Sequence, residues 1–311
     1  MMARLHIALL ASALVAPAAA KAEGPLDVSF LYSLSSTTGF IPFSGAQLAY
    51  DAGDKELFVR ADGLVHVFND SGMEVFTFGD NLDVRIGNIA ATEDGSILSL
   101  GWADQKPVIV RLNFRGELVE QFPLSGIPQE YAAFNPTELR YWDGRIYLAN
   151  LGDMHIMVFD AHGKFEKFFD VAVMLGEPEK RKDYGLRGFN VDKRGNILFT
   201  IQPLFHGFFL TLDGHLREFG KRGSGPGRFN VVSGIAGDEQ GNLYVTDILK
   251  SAVVVFDSEF RFIKEFGGRG RRPGSLTAPV EIEVGNGKAF VSQYGRRGVS
   301  VFKVESLPAS S

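Results

Sequence analysis

The stretch from Gly220 to Gly267, GKRGSGPGRFNVVSGIAGDEQGNLYVTDILKSAVVVFDSEFRFIKEFG, constrains this chain more than any other feature. A short apolar run, SGIAGD, leads into the turn DEQGN, where Gly241 suits a positive φ. NLYVTD, AVVVFD and RFIKEF follow, three β-branched and aromatic runs divided by turn residues, which makes four short strands in all. That is one antiparallel meander. A sheet so small cannot bury both faces by itself, so it must stack on others of its kind.

Worn copies of the unit recur at 46–79, 88–122, 137–169, 189–219 and 281–304. Taking Phe68, Leu112, Phe159, Leu212, Phe256 and Phe302 as equivalent third-strand positions gives spacings of 44, 47, 53, 44 and 46 residues. Those lie near the ~40–50 residues of a propeller blade. The last copy has only three strands, while 26–34 is a lone alternating run with Val28, Phe30, Tyr32 and Leu34 on one face. The two fragments are expected to complete one blade, with Val28–Leu34 as its fourth strand. The expected fold class is all-β: a six-bladed β-propeller of four-stranded antiparallel blades, closed by an N-terminal strand in the C-terminal blade. Only 171–185, VAVMLGEPEKRKDYG, offers a helix, and Pro178 limits it to a turn or two.

The residues GSGPGRF, GIAGDEQGNLYVTD and VVVFD also resemble the NHL repeat, closely in the fifth copy and in fragments elsewhere. The resemblance implies the same propeller. It makes GSGPGRF a blade-to-blade connector, with Phe229 plugged between sheets, instead of a phosphate loop. The family's D-x-x-N-x-R after the second strand reads DILKSA, NLGDMH and QYGRRG here, so the arginine of the pattern is lost.

Residues 1–22 read as a Sec-type signal peptide: Arg4, an apolar stretch from Ile7 to Ala16, then a small-residue cleavage site. The expected layout is a propeller over 23–305 and a polar tail over 306–311. No later run approaches the ~20 apolar residues of a membrane span. The expectation is an exported monomer of a bacterial periplasm or the cell exterior. With no cysteine, disulfides, Cys-ligated metals and haem attachment are excluded. Net charge is −5, but unevenly spread: residues 215–305 carry 14 Lys and Arg against 10 Asp and Glu, while 23–214 sum to −11. The acidic overall balance argues against a nucleic-acid partner.

In a propeller, the loops from second to third strands and from blade to blade gather on one face around the channel mouth. The candidate binding residues there are Trp102, Tyr184, Arg187, Phe205, His206, Arg228, Arg271, Tyr294 and Arg296. Aromatics among arginines are the mix of recognition surfaces. The expected function is non-catalytic, a scaffold or recognition module for an envelope protein or for an anionic glycan or other anionic ligand. No cofactor is expected. The alternative is a metal-dependent lyase or hydrolase, because propellers related to the NHL family include peptidyl-hydroxyglycine lyases and lactonases. Zinc needs about three converging ligands, yet only His155 and His206 fall on this face. Calcium would need an oxygen ring in the channel, for which Asn88, Glu138, Asn190 and Glu281 are the available residues.

Overall fold

The computed structural model describes residues 26–80 and 86–306; the signal-peptide assignment and the tail assignment beyond Ser306, itself the end of the last strand, lie outside them. Six four-stranded antiparallel sheets follow one another along the chain. Blade 1 comprises Gln47–Asp51, Glu56–Ala61, Leu64–Phe68 and Glu74–Phe78, and blade 2 Ile89–Ala91, Ile97–Ala103, Lys106–Leu112 and Leu118–Pro123. Blade 3 comprises Glu138–Trp142, Arg145–Asn150, His155–Asp160 and Phe165–Asp170, and blade 4 Phe189–Val191, Ile197–Ile201, His206–Leu210 and Leu216–Phe219. Blade 5 is Val232–Gly237, Leu243–Asp247, Ala252–Phe256 and Phe262–Gly267. Blade 6 takes Pro279–Gly285, Lys288–Gln293 and Val299–Ser306 from the C-terminal end and Leu26–Ser33 from the N-terminal end. The first strands of neighbouring blades adjoin all the way round, blade 6 to blade 1 included. The chain is a closed six-bladed propeller.

The period-two alternation explains the stacking. Leu57 and Val59 enter the apolar layer shared with blade 6, and Phe58 between them enters the layer shared with blade 2. Both faces of each sheet are thereby used. Six buried clusters result, one for each interface between adjacent blades.

Turns are set by short polar side chains. Asp238 Oδ1 accepts from the backbone amides of Gln240 and Asn242 at 3.0 and 2.8 Å, and Gly241 follows at φ 93°. Asp192 repeats the device in blade 4, accepting from Arg194 and Asn196 at 2.9 and 2.8 Å. In the third-to-fourth turn of blade 5 the left-handed position is Phe260, φ 66°, whose ring lies 5.0 Å from Phe219 and carries Arg217 above it at 4.2 Å. Contacts of the ring offset the strain of a side chain there.

The connectors are built as the repeat implied. Phe229 is fully buried, and a Cβ on Gly220 would lie 2.1 Å from its ring. Leu276 plays the same part after blade 5, against Gly267 at 2.6 Å. Two corrections apply. Pairing aligns Leu210 with Ile197 as Phe256 aligns with Leu243, so the third-strand position of blade 4 is Leu210 and not Leu212. Trp102 lies within a strand instead of a loop, because blade 2 closes its second hairpin with only Asp104 and Gln105, both at positive φ. The helical stretch is, as Pro178 implied, no more than single turns, Val171–Met174 and Arg181–Tyr184, flanking a 3-10 turn at Pro178–Lys180.

The closing strand pairs antiparallel with Val299–Ser306, from Leu26 opposite Ser306 to Ser33 opposite Ser300. Leu26 is buried, and Val28 and Phe30 pack against the cluster between blades 5 and 6. A chain lacking residues 23–35 should lose on the order of 10 °C in Tm, since a few kcal/mol lower the midpoint of a chain this size by that much. Thermal unfolding of the two forms checks it; an unchanged midpoint would overturn the role given to this strand.

Candidate functional site

Two polar constructions stand out, one on the propeller axis and one on the face of the second-to-third loops. At the axis the expected ring residues Asn88, Glu138, Asn190 and Glu281 do converge, but on a residue the sequence did not flag. Arg140, from the innermost strand of blade 3, is buried, and its Nη2 donates to Glu281 Oε1 of the opposite blade 6 at 2.6 Å. Glu138 lies 3.6 Å from the guanidinium and Glu283 4.0 Å. Asn88 Oδ1 accepts from Arg140 Nη1 at 3.2 Å while its amide donates to Glu138 at 2.7 Å. Gln47 reaches Asn88 at 3.3 Å and Asn190 donates to Glu283 at 3.1 Å. Every blade but the fifth has a residue in this hub.

One guanidinium faces three carboxylates. Burial and the neighbouring Glu138 and Glu283 carboxylates outweigh Arg140 and push Glu281 up to about 8. Burial also pushes Glu138 and Glu283 up. Arg140, beside Glu281, is held protonated more firmly than usual. Glu281 keeps 22 % of its side-chain surface open to the passage. Solvent access of that size softens the burial without cancelling it, and the three carboxylates titrate as a coupled unit. Among the described residues no group of three or more His, Asp or Glu side chains is arranged to hold a metal ion. The carboxylates at the axis already share the positive charge of Arg140.

On the loop face the candidate residues fall into separate groups. Arg271 and Arg296 line one cleft of about 350 Å³, together with Arg272 and Arg297. Its floor includes Gln293, 2 % exposed, whose Nε2 donates to Ser300 Oγ at 3.0 Å and whose Oε1 accepts from Thr277 N at 2.7 Å. No aspartate or glutamate lines the cleft. None of the four guanidinium groups makes an ion pair or a side-chain hydrogen bond among the described residues. Arg296 holds a left-handed φ of 58° at the tip of its loop. Tyr294 is half exposed next to this cleft in sequence, its ring seated over Gly45, where a Cβ would come within 2.6 Å.

The remaining candidates lie apart from that cleft. Phe205, left-handed at φ 59°, carries the Arg222 guanidinium 4.8 Å above its ring. Arg228 Nη1 donates to the Arg222 carbonyl at 3.4 Å, so these three adjoin. His206 opens the third strand of blade 4, with Nδ1 3.3 Å from Glu218. Tyr184 donates to the Glu177 carboxylate and packs partly against the core between blades 3 and 4. Arg187 is exposed in the same connector. Trp102 stands in a different groove, of about 610 Å³, with Lys106, Phe134 and Asn135, and is 45 % exposed. Asp247 accepts from the backbone amides of Asn230 and Lys250 at 2.6 and 2.9 Å and pairs with none of the arginines among the described residues.

No family profile and no curated protein matches the sequence. Solved structures do match in fold. A Bacteroides thetaiotaomicron protein of unknown function shares 14% identity at a TM-score of 0.62, over 91% of this chain and 77% of its own. Virginiamycin B lyase of Staphylococcus aureus shares 13% at 0.54, over 92% and 90%. A catalytically inactive His-to-Ala form of that lyase, with quinupristin, shares 14% at 0.53, over 87% and 84%. At such identities the likeness is one of fold.

The hub gives a pH test. Its folded form keeps a proton that the unfolded chain releases near 4.5, so the associated stability is full below 4.5 and lost as pH rises toward about 8. Relative to wild type, Glu281→Gln should gain in Tm between pH 5 and pH 8.5. Arg140→Met should cost ~3–5 kcal/mol by urea unfolding at pH 8.5, because it strands buried carboxylates, and less at pH 5 where they protonate. A pH-independent cost would show that charge is not what Arg140 supplies.

Proposed function

We propose that this chain is an exported, monomeric, non-catalytic recognition propeller of NHL type that takes an anionic ligand on its loop face. The observation that carries the reading is the cleft whose four arginines have no carboxylate among its lining residues and no ion pair among the described residues. Arg140, the one buried arginine among the described residues, is spent on Glu281. Exposed guanidinium groups gathered without counter-charge are matched by phosphate, sulfate or carboxylate, which they grip in a planar fork. The basic balance of residues 215–305 adds a field of the same sign. The glycine-rich connectors and the Asp238 turn support the NHL assignment, and the leader over residues 1–22 supports export.

A second reading is a metal-dependent lyase, favoured by the likeness in fold to virginiamycin B lyase. That lyase is inactive when a histidine becomes alanine. Here His66, His155 and His206 lie on third strands, and His162 and His215 in third-to-fourth turns, none of them on an innermost strand. The recognition reading is the better supported.

On a column bearing a sulfated polysaccharide at low salt, wild type should be retained and Arg271→Ala/Arg296→Ala should elute at least a salt step earlier. Equal elution would remove the cleft from the reading. Stoichiometric zinc or calcium in protein purified without chelator would instead favour the lyase.

A further inference from the structure

The arginine cleft lies on the seam where the ring closes. Phe30 and Ser33 in its lining come from the closing strand, and Phe40 from the hairpin Ser35–Ser36/Gly39–Phe40 that follows it. The arginines come from the other end of the chain: Arg271 and Arg272 from the connector into blade 6, Arg296 and Arg297 from that blade's second-to-third loop. Each loop rests directly on the N-terminal segment. A Cβ on Gly274 would lie 3.0 Å from Phe30 Cβ, and one on Gly298 2.8 Å from the Phe40 ring. Gly298 N also donates to Phe43 O at 2.9 Å, and Leu34 N to Val299 O at 3.0 Å.

Four like charges at one seam push the two loops apart when nothing lies between them. A single carboxylate would neutralise only one of the four. A group with two or more negative charges on the oxygens of tetrahedral phosphorus or sulfur has an acceptor for each pair of forks, and Ser33, Ser275 and Ser300 add hydroxyls to the lining. Held by such a group, the connector is kept down on Phe30 and the loop on Phe40, and the closing strand is trapped beneath them.

Resting on the anion-recognition reading above, we propose that the cleft takes a multiply charged phosphate- or sulfate-type oxyanion and that occupancy fastens the closing strand of the ring. Anything that binds the closed form better than the open one must stabilise closure.

The full chain, at fixed ionic strength, is titrated calorimetrically with inorganic tripolyphosphate and with acetate as the monoanionic control. Hydrogen exchange is then followed on the backbone amides of Leu26–Ser33 and Val299–Ser306. Tripolyphosphate should slow exchange there by at least about tenfold and raise Tm, and acetate should do neither. The effect should vanish in Arg271→Gln/Arg296→Gly, glycine being suited to the left-handed position, and persist in Lys221→Ala/Arg222→Ala, which removes charge from the neighbouring connector. Should the first variant fail to fold, Arg272→Gln/Arg297→Gln removes the other two charges and must give the same loss. A sulfated disaccharide reproducing the protection points to a glycan source, and phosphatidic acid vesicles doing so point to a lipid headgroup. Binding of tripolyphosphate at the cleft with no change in closing-strand exchange would overturn the coupling while leaving anion recognition intact. Equal protection by acetate would overturn the multivalent class, and no binding at all would overturn both readings.

Discussion

The antiparallel pairing of Leu26–Ser33 with Val299–Ser306 is the interaction on which the rest depends. Each blade is sandwiched between two others, and each apolar layer needs both of its sheets. An open ring would expose the layer between blades 6 and 1, where Leu48, Phe68, Phe290 and Val301 are all buried. No disulfide can hold the ends, since the chain has no cysteine. Closure therefore rests on a ladder of backbone hydrogen bonds and on the few side chains that the strand buries: Leu26 beneath blade 5, and Phe30 edge-on to Phe302 at 5.7 Å. The strand also shifts register between Phe30 and Tyr32, which bends it around the rim.

At the centre the same ring is tied by polarity. Arg140 and Glu281 reach across the axis from opposite blades, and Asn88 and Asn190 bring in the blades beside them. A buried ionic cluster is a poor source of net stability, because desolvation consumes most of the attraction. Its effect here is geometric. Partners fixed at 2.6–3.2 Å set which innermost strands face one another, whereas an apolar axis would tolerate sliding.

Three arginines elsewhere have the counter-charge that the cleft lacks. Arg145 pairs with Glu166 at 2.8 Å, Arg181 with Asp170 at 2.7 Å, and Arg261 with Asp257 at 2.6 Å. Those charges are committed to the fold. Arg271, Arg272, Arg296 and Arg297 sit on glycine-rich loops where no acidic strand neighbour comes within reach, because glycine and serine fill the positions around them. The same loops carry the closing seam, and that coincidence couples a surface charge cluster to the integrity of the ring.

Blade number, strand order and the closing strand were legible in the sequence because each is local or periodic. Alternating runs, Asp-x-x-Gly turns and a repeat near the length of one blade are all read within short windows, and the unpaired run at 26–34 had no other sheet to join. Leu212 was misplaced by two residues, since Leu212-Asp213 imitates the Phe-Asp pair that ends the third strand in blades 3 and 5, whereas here the turn is set by Thr211, whose Oγ1 accepts from His215 N at 3.0 Å. Trp102 was read as a loop residue because a two-residue hairpin gives no composition signal. The site was legible only in part. Arg271 and Arg296 could be placed on one face from topology, but their meeting in one cleft, apart from Trp102 and Tyr184, depends on how far round the ring each blade lies. Arg140 was invisible for the same reason: its partner Glu281 is 141 residues away, and no pattern along the chain records which residues face each other across an axis. Sequence determined the sheets, since backbone pairing and alternation are short-range, and tertiary structure alone decided which charges are spent and which are left open, since a counter-charge is a matter of distance in space.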